Sequence, residues 1–183
     1  MEVYDNKIGV IICFEKPLEI EEYNELFDKS YGNLSDENKR EIHLEYQQNI
    51  INMFEQFYLK NDSSVMAKLR YIDMIDDLGF DEEENQFLYS ELERAQLEKI
   101  LGSLCGEEIL YKKPFKIENF RDLEIILKFQ LRTFRIVDFY FEKLNLLFKG
   151  SYEYQMNIYG DYKENEYNKI LKENNLYYKT FEE

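Results

Sequence analysis

The segment from Asn119 to Lys149 runs for 31 residues without a glycine or a proline. Large apolar residues recur in it every seven positions, at Phe120, Leu127, Phe134, Phe141 and Phe148. A seven-residue apolar repeat is the period of left-handed helix packing, and Ile125, Phe129 and Ile136 add a second apolar face. We therefore expect one long central helix that is wrapped by neighbouring helices.

An alternative exists for Ile125–Arg135, where apolar residues alternate with partly polar ones, as in a half-buried strand. The helix is the preferred interpretation, because an uninterrupted segment of this length exceeds an ordinary strand.

Three further helices are expected upstream. The first begins after a cap at Ser35 and ends near Leu59, with a buried stripe at Ile42, Tyr46, Ile50, Met53 and Phe57. Asn61 and Asp62 break it, and the next helix places Val65, Leu69, Ile72 and Ile75 inward before Gly79 ends it. The third runs from about Asp81 to Leu101, where Gly102 and Gly106 stop it.

Strands are expected mainly near the chain ends, at Ile8–Phe14, Ile109–Lys116, Ser151–Tyr159 and Leu176–Phe181. Short helices are expected at Leu18–Asp28 and Tyr162–Asn174. The predicted fold class is α+β and mainly α: a bundle of about four to five helices around a long central helix, with a small sheet from the chain ends. We expect one acidic globular domain over residues 1–183, with a possible sub-division into 1–106 and 107–183.

Charge is distributed unevenly along the chain. The whole sequence has a formal charge of −15, and residues 73–108 hold twelve acids and two bases. Such a charge repels nucleic acid and acidic membranes and attracts basic protein surfaces. We therefore expect no direct nucleic-acid partner and no membrane partner.

The acids of residues 73–108 fall into two groups, according to whether the expected local structure accounts for an acid at that position. Residues 81–84 fall in the first turn of the expected third helix, where acids favour the helix dipole. Asp73, Asp76 and Asp77 fall in the last turn of the helix before it, where acids oppose the dipole. The predicted partner-binding residues are Asp73, Asp76, Asp77, Asp81, Glu82, Glu83, Glu84 and Glu91.

No catalytic residue, metal site or cofactor is predicted. The chain has no phosphate-binding glycine loop, no dinucleotide fingerprint and no zinc-protease motif. His43 is the only histidine, and no third group is designated that would orient it toward Cys105 as a nucleophile. The acid cluster does not follow the EF-hand order.

These observations predict a non-enzymatic, cytoplasmic binding protein. Its partner would be a basic protein that processes nucleic acid, such as a nuclease or toxin, so toxin immunity proteins and anti-CRISPR-like nucleic-acid mimics are the expected classes. The alternatives are a small metal-dependent enzyme that uses carboxylates and an oligomeric scaffold that uses the 120–148 face. Seven tyrosines among the last 32 residues offer a second candidate surface, since tyrosine is favoured at interfaces.

Overall fold

The computed structural model describes residues 7–13, 15, 37–70, 90–104, 114–133, 137–150 and 155–180. These residues form four helices, namely α1 (Glu37–Lys60), α2 (Glu91–Leu104), α3 (Phe120–Thr133) and α4 (Glu164–Glu173). They also form seven strands: β1 (Lys7–Ile12), β2 (Val65–Leu69), β3 (Phe115–Ile117), β4 (Val137–Phe141), β5 (Leu146–Gly150), β6 (Met156–Gly160) and β7 (Tyr177–Thr180).

All seven strands join one sheet in the order β3-β2-β4-β5-β6-β1-β7, and every neighbouring pair is antiparallel. The expected helix bundle with a small terminal sheet is therefore wrong. The protein has a sheet-rich α+β fold, in which β4, β5 and β6, all between residues 137 and 160, supply the centre of the sheet. Strands β1 and β2 pair with strands that come after residue 107.

The long central helix is the main error. Helix α3 ends at Thr133, and the chain then forms the β4–β5 hairpin, in which Phe139 faces Phe148 and Phe141 faces Leu146. Asn145 adopts a positive φ of 51° in the turn, a conformation that asparagine tolerates better than most residues. The turn therefore forms without the glycine or proline that sequence reasoning required.

The first part of the predicted segment is nevertheless helical. The Asn119 side chain accepts a hydrogen bond from the backbone N–H of Arg121 at 3.0 Å, as expected for a residue that caps a helix. Because α3 continues to Thr133, the strand alternative for Ile125–Arg135 is wrong as well.

Strand β2 replaces the first part of the second predicted helix. Val65, Ala67 and Leu69 are buried, and Met66 and Lys68 between them are half-buried. Two apolar residues four positions apart satisfy both a helical stripe and a strand that alternates in twos. Ala67 decides between them, because its burial fits only the period of two.

The predicted first helix is confirmed as α1, and it supplies the centre of the core. Phe54 packs against Phe139 and Phe148 with ring centroids 5.0 and 5.3 Å apart. Phe57 reaches Phe148 at 5.2 Å and Tyr167 of α4 at 5.1 Å. These edge-to-face and tilted ring contacts fix α1 over the middle of the sheet.

Helix α2 begins later than expected. Ser90 and Glu93 form a capping box: the Glu93 N–H donates to Ser90 Oγ at 3.2 Å, and the Ser90 N–H donates to Glu93 Oε2 at 3.0 Å. A helix that runs unbroken from Asp81 is therefore wrong at Ser90, and Gly102 lies within α2 rather than after it.

Strands β1, β6 and β7 and helix α4 confirm the predictions for the chain ends, with shifted bounds. Strand β3 confirms the end of the strand expected at Ile109–Lys116. Three predictions lie outside the described residues: the helix at Leu18–Asp28, the helix end at Gly79 and the first part of the strand expected at Ile109–Lys116. Among the described residues, no helix has the length and apolarity needed to cross a bilayer.

Candidate functional site

The two faces of the sheet have different neighbours. The inner face carries Phe139 and Phe148, and α1 and α4 pack over it as described above. Helix α3 lies on the same side, because a Cβ added to Gly150 would point at the Gln130 side chain at 2.5–2.6 Å. Helix α2 packs on α3. The four described helices therefore cover the inner face. Side chains alternate along each strand, so every second one points to the outer face.

An aromatic row crosses the outer face. Tyr140 of β4 lies opposite Leu147 of β5, and Leu147 lies opposite Tyr159 of β6. Leu147 is only 1% exposed, whereas both tyrosines are half-buried. Because β5 separates the two tyrosines, their backbones are about 10 Å apart. We call Tyr140, Leu147 and Tyr159 the aromatic row.

A cationic row runs beside it, two residues further along the strands. Lys68 of β2 lies opposite Asp138 of β4, which lies opposite Lys149 of β5. The register continues through Asn157 and Val10 to Lys179 of β7. The cationic row, defined as Lys68, Lys149 and Lys179, is about 7 Å from the aromatic row along the strand direction.

Asp138 is the buried acid in the centre of these bases. The residue is 4% exposed, and Arg70 donates to Oδ2 from Nε at 2.8 Å and from a terminal nitrogen at 2.7 Å. Burial raises the pKa of the Asp138 carboxyl above its ordinary value, and the charges of Arg70, Lys149 and Lys68 oppose that shift. Its second oxygen, Oδ1, has no hydrogen-bond partner among the described residues.

The two rows touch through Lys149. Its ammonium lies 4.2 Å from the centroid of the Tyr159 ring, a cation–π contact. Within the described part of the chain, Lys68 and Lys149 form no ion pair with a carboxylate at 4.0 Å or less, so their charges are not neutralised by direct contact. Arg70 differs from them, since Asp138 holds it.

The formal charges of the described residues cancel. Eighteen of the 23 lysines and arginines and eighteen of the 38 acids lie in the described ranges. The whole formal charge of −15 therefore belongs to residues outside these ranges, and residues 71–89 contribute seven acids and no base. The lysines of the outer face therefore belong to the described residues, whose total formal charge is zero.

The predicted partner-binding residues fall mostly outside the described part of the chain. This holds for Asp73, Asp76, Asp77, Asp81, Glu82, Glu83 and Glu84. Glu91 is described: it is the first residue of α2 and is exposed. Because seven of the eight acids lie outside the described residues, their arrangement as one surface is not tested and their role stays a prediction.

The other candidates do not form a catalytic arrangement among the described residues. His43 is half-buried on α1, as a histidine at the core edge would be, and Cys105 lies outside the described ranges. Cys13 is buried, and burial raises the pKa of its thiol to about 12. In the ranges that the structure describes, no three His, Cys, Asp or Glu side chains are placed to hold a metal ion together.

A second polar cluster joins three helices. Glu93 of α2 accepts hydrogen bonds from Lys128 Nζ at 3.0 Å and from Arg132 at 3.2 Å, both on α3. Arg132 also donates to Gln47 of α1 at 2.7 Å. Burial would raise the pKa of Glu93, but the Ser90 N–H and these cations lower it to about 2. Because its charges are paired with one another, this cluster fastens α2 to α3 and α1.

Sequence reasoning missed the outer face because it placed four of its residues in helices, namely Lys68, Asp138, Tyr140 and Lys149. The tyrosine-rich end was a candidate surface, and one of its residues, Tyr159, lies on the outer face. Tyr162 and Tyr167, by contrast, pack against each other with ring centroids 5.4 Å apart beside α4. An alternation of Asp138 and Tyr140 with buried phenylalanines was the signal in the sequence that identifies the face.

Comparison with known proteins gives no relative: no family model, no curated protein and no solved structure matches this chain.

Proposed function

We propose that this protein is a binding protein that recognises an anionic, extended ligand through the outer face of its sheet. One observation carries the proposal: an aromatic row and a cationic row lie side by side on the sheet face that faces away from the described helices. Lysines scattered on a sheet would serve solubility alone. Here Lys68 and Lys149 flank a buried carboxylate, and Lys149 is held on a tyrosine ring.

The geometry favours recognition of several anionic groups rather than one. Lys68 and Lys149 are separated by the width of β4, about 10 Å between backbones, and Lys179 lies three strands further on. A single small anion would not reach all three lysines. A chain with repeated negative charges that crosses the strands would contact them in turn.

Binding to anionic chains tests this function. Fluorescence anisotropy would be measured with labelled polyglutamate and with a labelled oligothymidylate. Replacement of Lys68 and Lys149 together by glutamine should weaken binding of any ligand that the face takes by about tenfold or more, since charged contacts contribute about 1 kcal/mol each or more. The double variant Lys169→Gln and Lys172→Gln removes the same charge from the exposed side of α4 and should bind like the wild type.

Asp138→Asn is expected to change the affinity in the opposite direction from the lysine variants. It removes the negative charge from between the two lysines while the side-chain shape stays similar, so affinity for an anionic ligand should rise severalfold. A charge about 6 Å away is worth about 0.7 kcal/mol at water-like screening. Equal binding by the wild type and both lysine double variants, or no binding of either probe, would show that the outer face is not the site.

The acid-rich residues support a second candidate function, capture of a basic nucleic-acid-processing protein such as a nuclease or toxin. The observation that favours it is the charge balance: the described residues are neutral, and residues 71–89 hold seven acids without a base. Such a run attracts basic surfaces and accelerates association.

Charge reversal tests this second function. Asp76, Asp77, Glu82 and Glu83 would each be replaced by lysine, and affinity capture from the source organism would be compared with that of the wild type. A basic partner that is retained by the wild type and lost by the variant, with an unchanged circular dichroism spectrum, is the expected result. Equal retention would remove the hypothesis.

A further inference from the structure

The pairing of the two rows on the outer face points to a specific ligand class, and this inference rests on the proposed function. We infer that the outer face binds single-stranded nucleic acid, with bases against Tyr140 and Tyr159 and phosphates against Lys68, Lys149 and Lys179. The strand register places these side chains on one face in two parallel lines.

The aromatic row favours a nucleic acid over an acidic protein segment. A polyanionic peptide would use the lysines but has no flat group that requires two tyrosines about 10 Å apart. Each nucleotide carries both a charged phosphate and a flat base, and bases stack on aromatic side chains in proteins that bind single strands. A duplex offers its phosphates but keeps its bases paired and stacked inside.

The present contacts of the tyrosines are compatible with this role. Tyr140 and Tyr159 are half-buried and flank Leu147, which is 1% exposed. The Tyr140 hydroxyl donates to Asn145 Oδ1 at 3.3 Å, which anchors the ring at its outer end. Lys149 covers Tyr159 at 4.2 Å, and a phosphate that attracts the ammonium would free the ring for a base.

The charge of the whole chain predicts no direct nucleic-acid partner, but the described residues do not share that negative charge. The described residues are electrically neutral in total, and the excess acid lies in other parts of the sequence. Interactions between exposed charges are largely screened beyond about 8 Å at physiological ionic strength. Contacts made at the outer face therefore depend most on charged groups within that distance, and among the described ones these include Lys68, Lys149, Arg70 and Asp138.

A pair of substitutions at Tyr159 separates stacking from charge. Tyr159→Leu removes the ring, and Tyr159→Phe keeps it; neither changes the charge of the face. Binding of oligothymidylate, of the matching duplex and of polyglutamate would be measured by anisotropy. We expect tight binding of the single strand alone, a loss of about tenfold in Tyr159→Leu, and no loss in Tyr159→Phe, since stacking contributes 1–3 kcal/mol per base.

Each other outcome is decisive. Polyglutamate bound as tightly as the oligonucleotide, with no effect of Tyr159→Leu on either, identifies an acidic protein segment as the ligand; this overturns the inference but leaves the proposed function intact. Equal binding of duplex and single strand also overturns it. No binding of any probe overturns both. If Tyr159→Leu unfolds by circular dichroism, Tyr140→Leu with Tyr140→Phe repeats the comparison on the neighbouring ring.

Discussion

At the scale of single residues, charged groups in this protein have two different roles. Asp138 is buried at the outer face; Arg70 holds one of its oxygens, and the other has no partner among the described residues. Glu93 accepts bonds from its own helix cap and from two cations of α3. The first arrangement leaves lysines available to a ligand, whereas the second consumes its charges internally. The second arrangement is expected to contribute to stability.

Glu93→Gln should therefore change how stability depends on pH. The pKa of Glu93 is lowered from 4.5 to about 2 in the folded protein. A lowered carboxyl pKa contributes stability that is present above pH 4.5 and is lost as the pH falls from 4.5 toward 2. The Glu93 side chain is 20% exposed, so screening by solvent reduces the contribution to about 1–2 kcal/mol.

The measurement is urea denaturation of the wild type and Glu93→Gln at pH 7 and pH 3. The variant should be less stable by about 1–2 kcal/mol at pH 7, and the difference should shrink at pH 3. Glu98→Gln, which changes an exposed acid of the same helix, serves as the control. A difference that stays constant between the two pH values would contradict the ion-pair explanation.

At the scale of elements, the sequence predicted α1, α4 and the strands near the chain ends, because each is bounded by a clear break. The predictions were wrong where the same spacing of apolar residues fits both a helix and a pair of strands. Phe141 and Phe148 are seven residues apart, which equals two helical turns, yet their rings meet at 5.4 Å across a hairpin. Val65 and Leu69 fit a helix and a strand equally well.

The candidate site depended on those same elements. Lys68, Asp138, Tyr140 and Lys149 share a face only because β2, β4 and β5 are neighbours in the sheet. Pairing between β2 and β4 joins residues about 70 positions apart in the chain, and a single sequence contains no local signal for such a pairing. The face therefore became visible only once the register of the strands was known.

Asn61 links the end of α1 to the β4–β5 turn, and its loss should destabilise that junction. The buried side chain accepts hydrogen bonds from the N–H groups of Lys143 at 2.8 Å and Leu144 at 3.3 Å, and it donates to the Ser64 carbonyl at 2.6 Å. In Asn61→Ala these backbone groups lose their partner in a partly buried place. We expect a loss of about 2 kcal/mol in the free energy of unfolding, measured by urea denaturation.

Lys143→Ala is the matched control, because it removes only the exposed ion pair between Lys143 and Asp62 in the same turn. Such pairs contribute about 0–1 kcal/mol, so this variant should stay close to the wild type. If the two variants lose the same stability, the Asn61 side chain does not hold the junction.

At the scale of the whole molecule, charge is divided between two parts of the sequence. The described residues balance to zero, and the remaining residues carry −15. The two candidate functions use opposite parts: the outer face would bind an anionic chain, and the acid-rich residues would bind a basic protein. Experiments on one surface therefore do not decide the other, and each needs its own variants.

Salt dependence provides a quantitative prediction for the outer face. Each phosphate that is neutralised on a single strand changes the slope of log K against log salt by about −0.7, because condensed counterions are released. Three contacts by the cationic row predict a slope of about −2. Lys149→Gln should reduce the steepness by about 0.7 in anisotropy titrations across a range of salt concentrations, whereas Lys169→Gln on α4 should leave it unchanged. A steep slope that neither variant alters would mean that the phosphates bind elsewhere on the protein, and a slope near zero would mean that the lysines of the sheet do not bind phosphate at all.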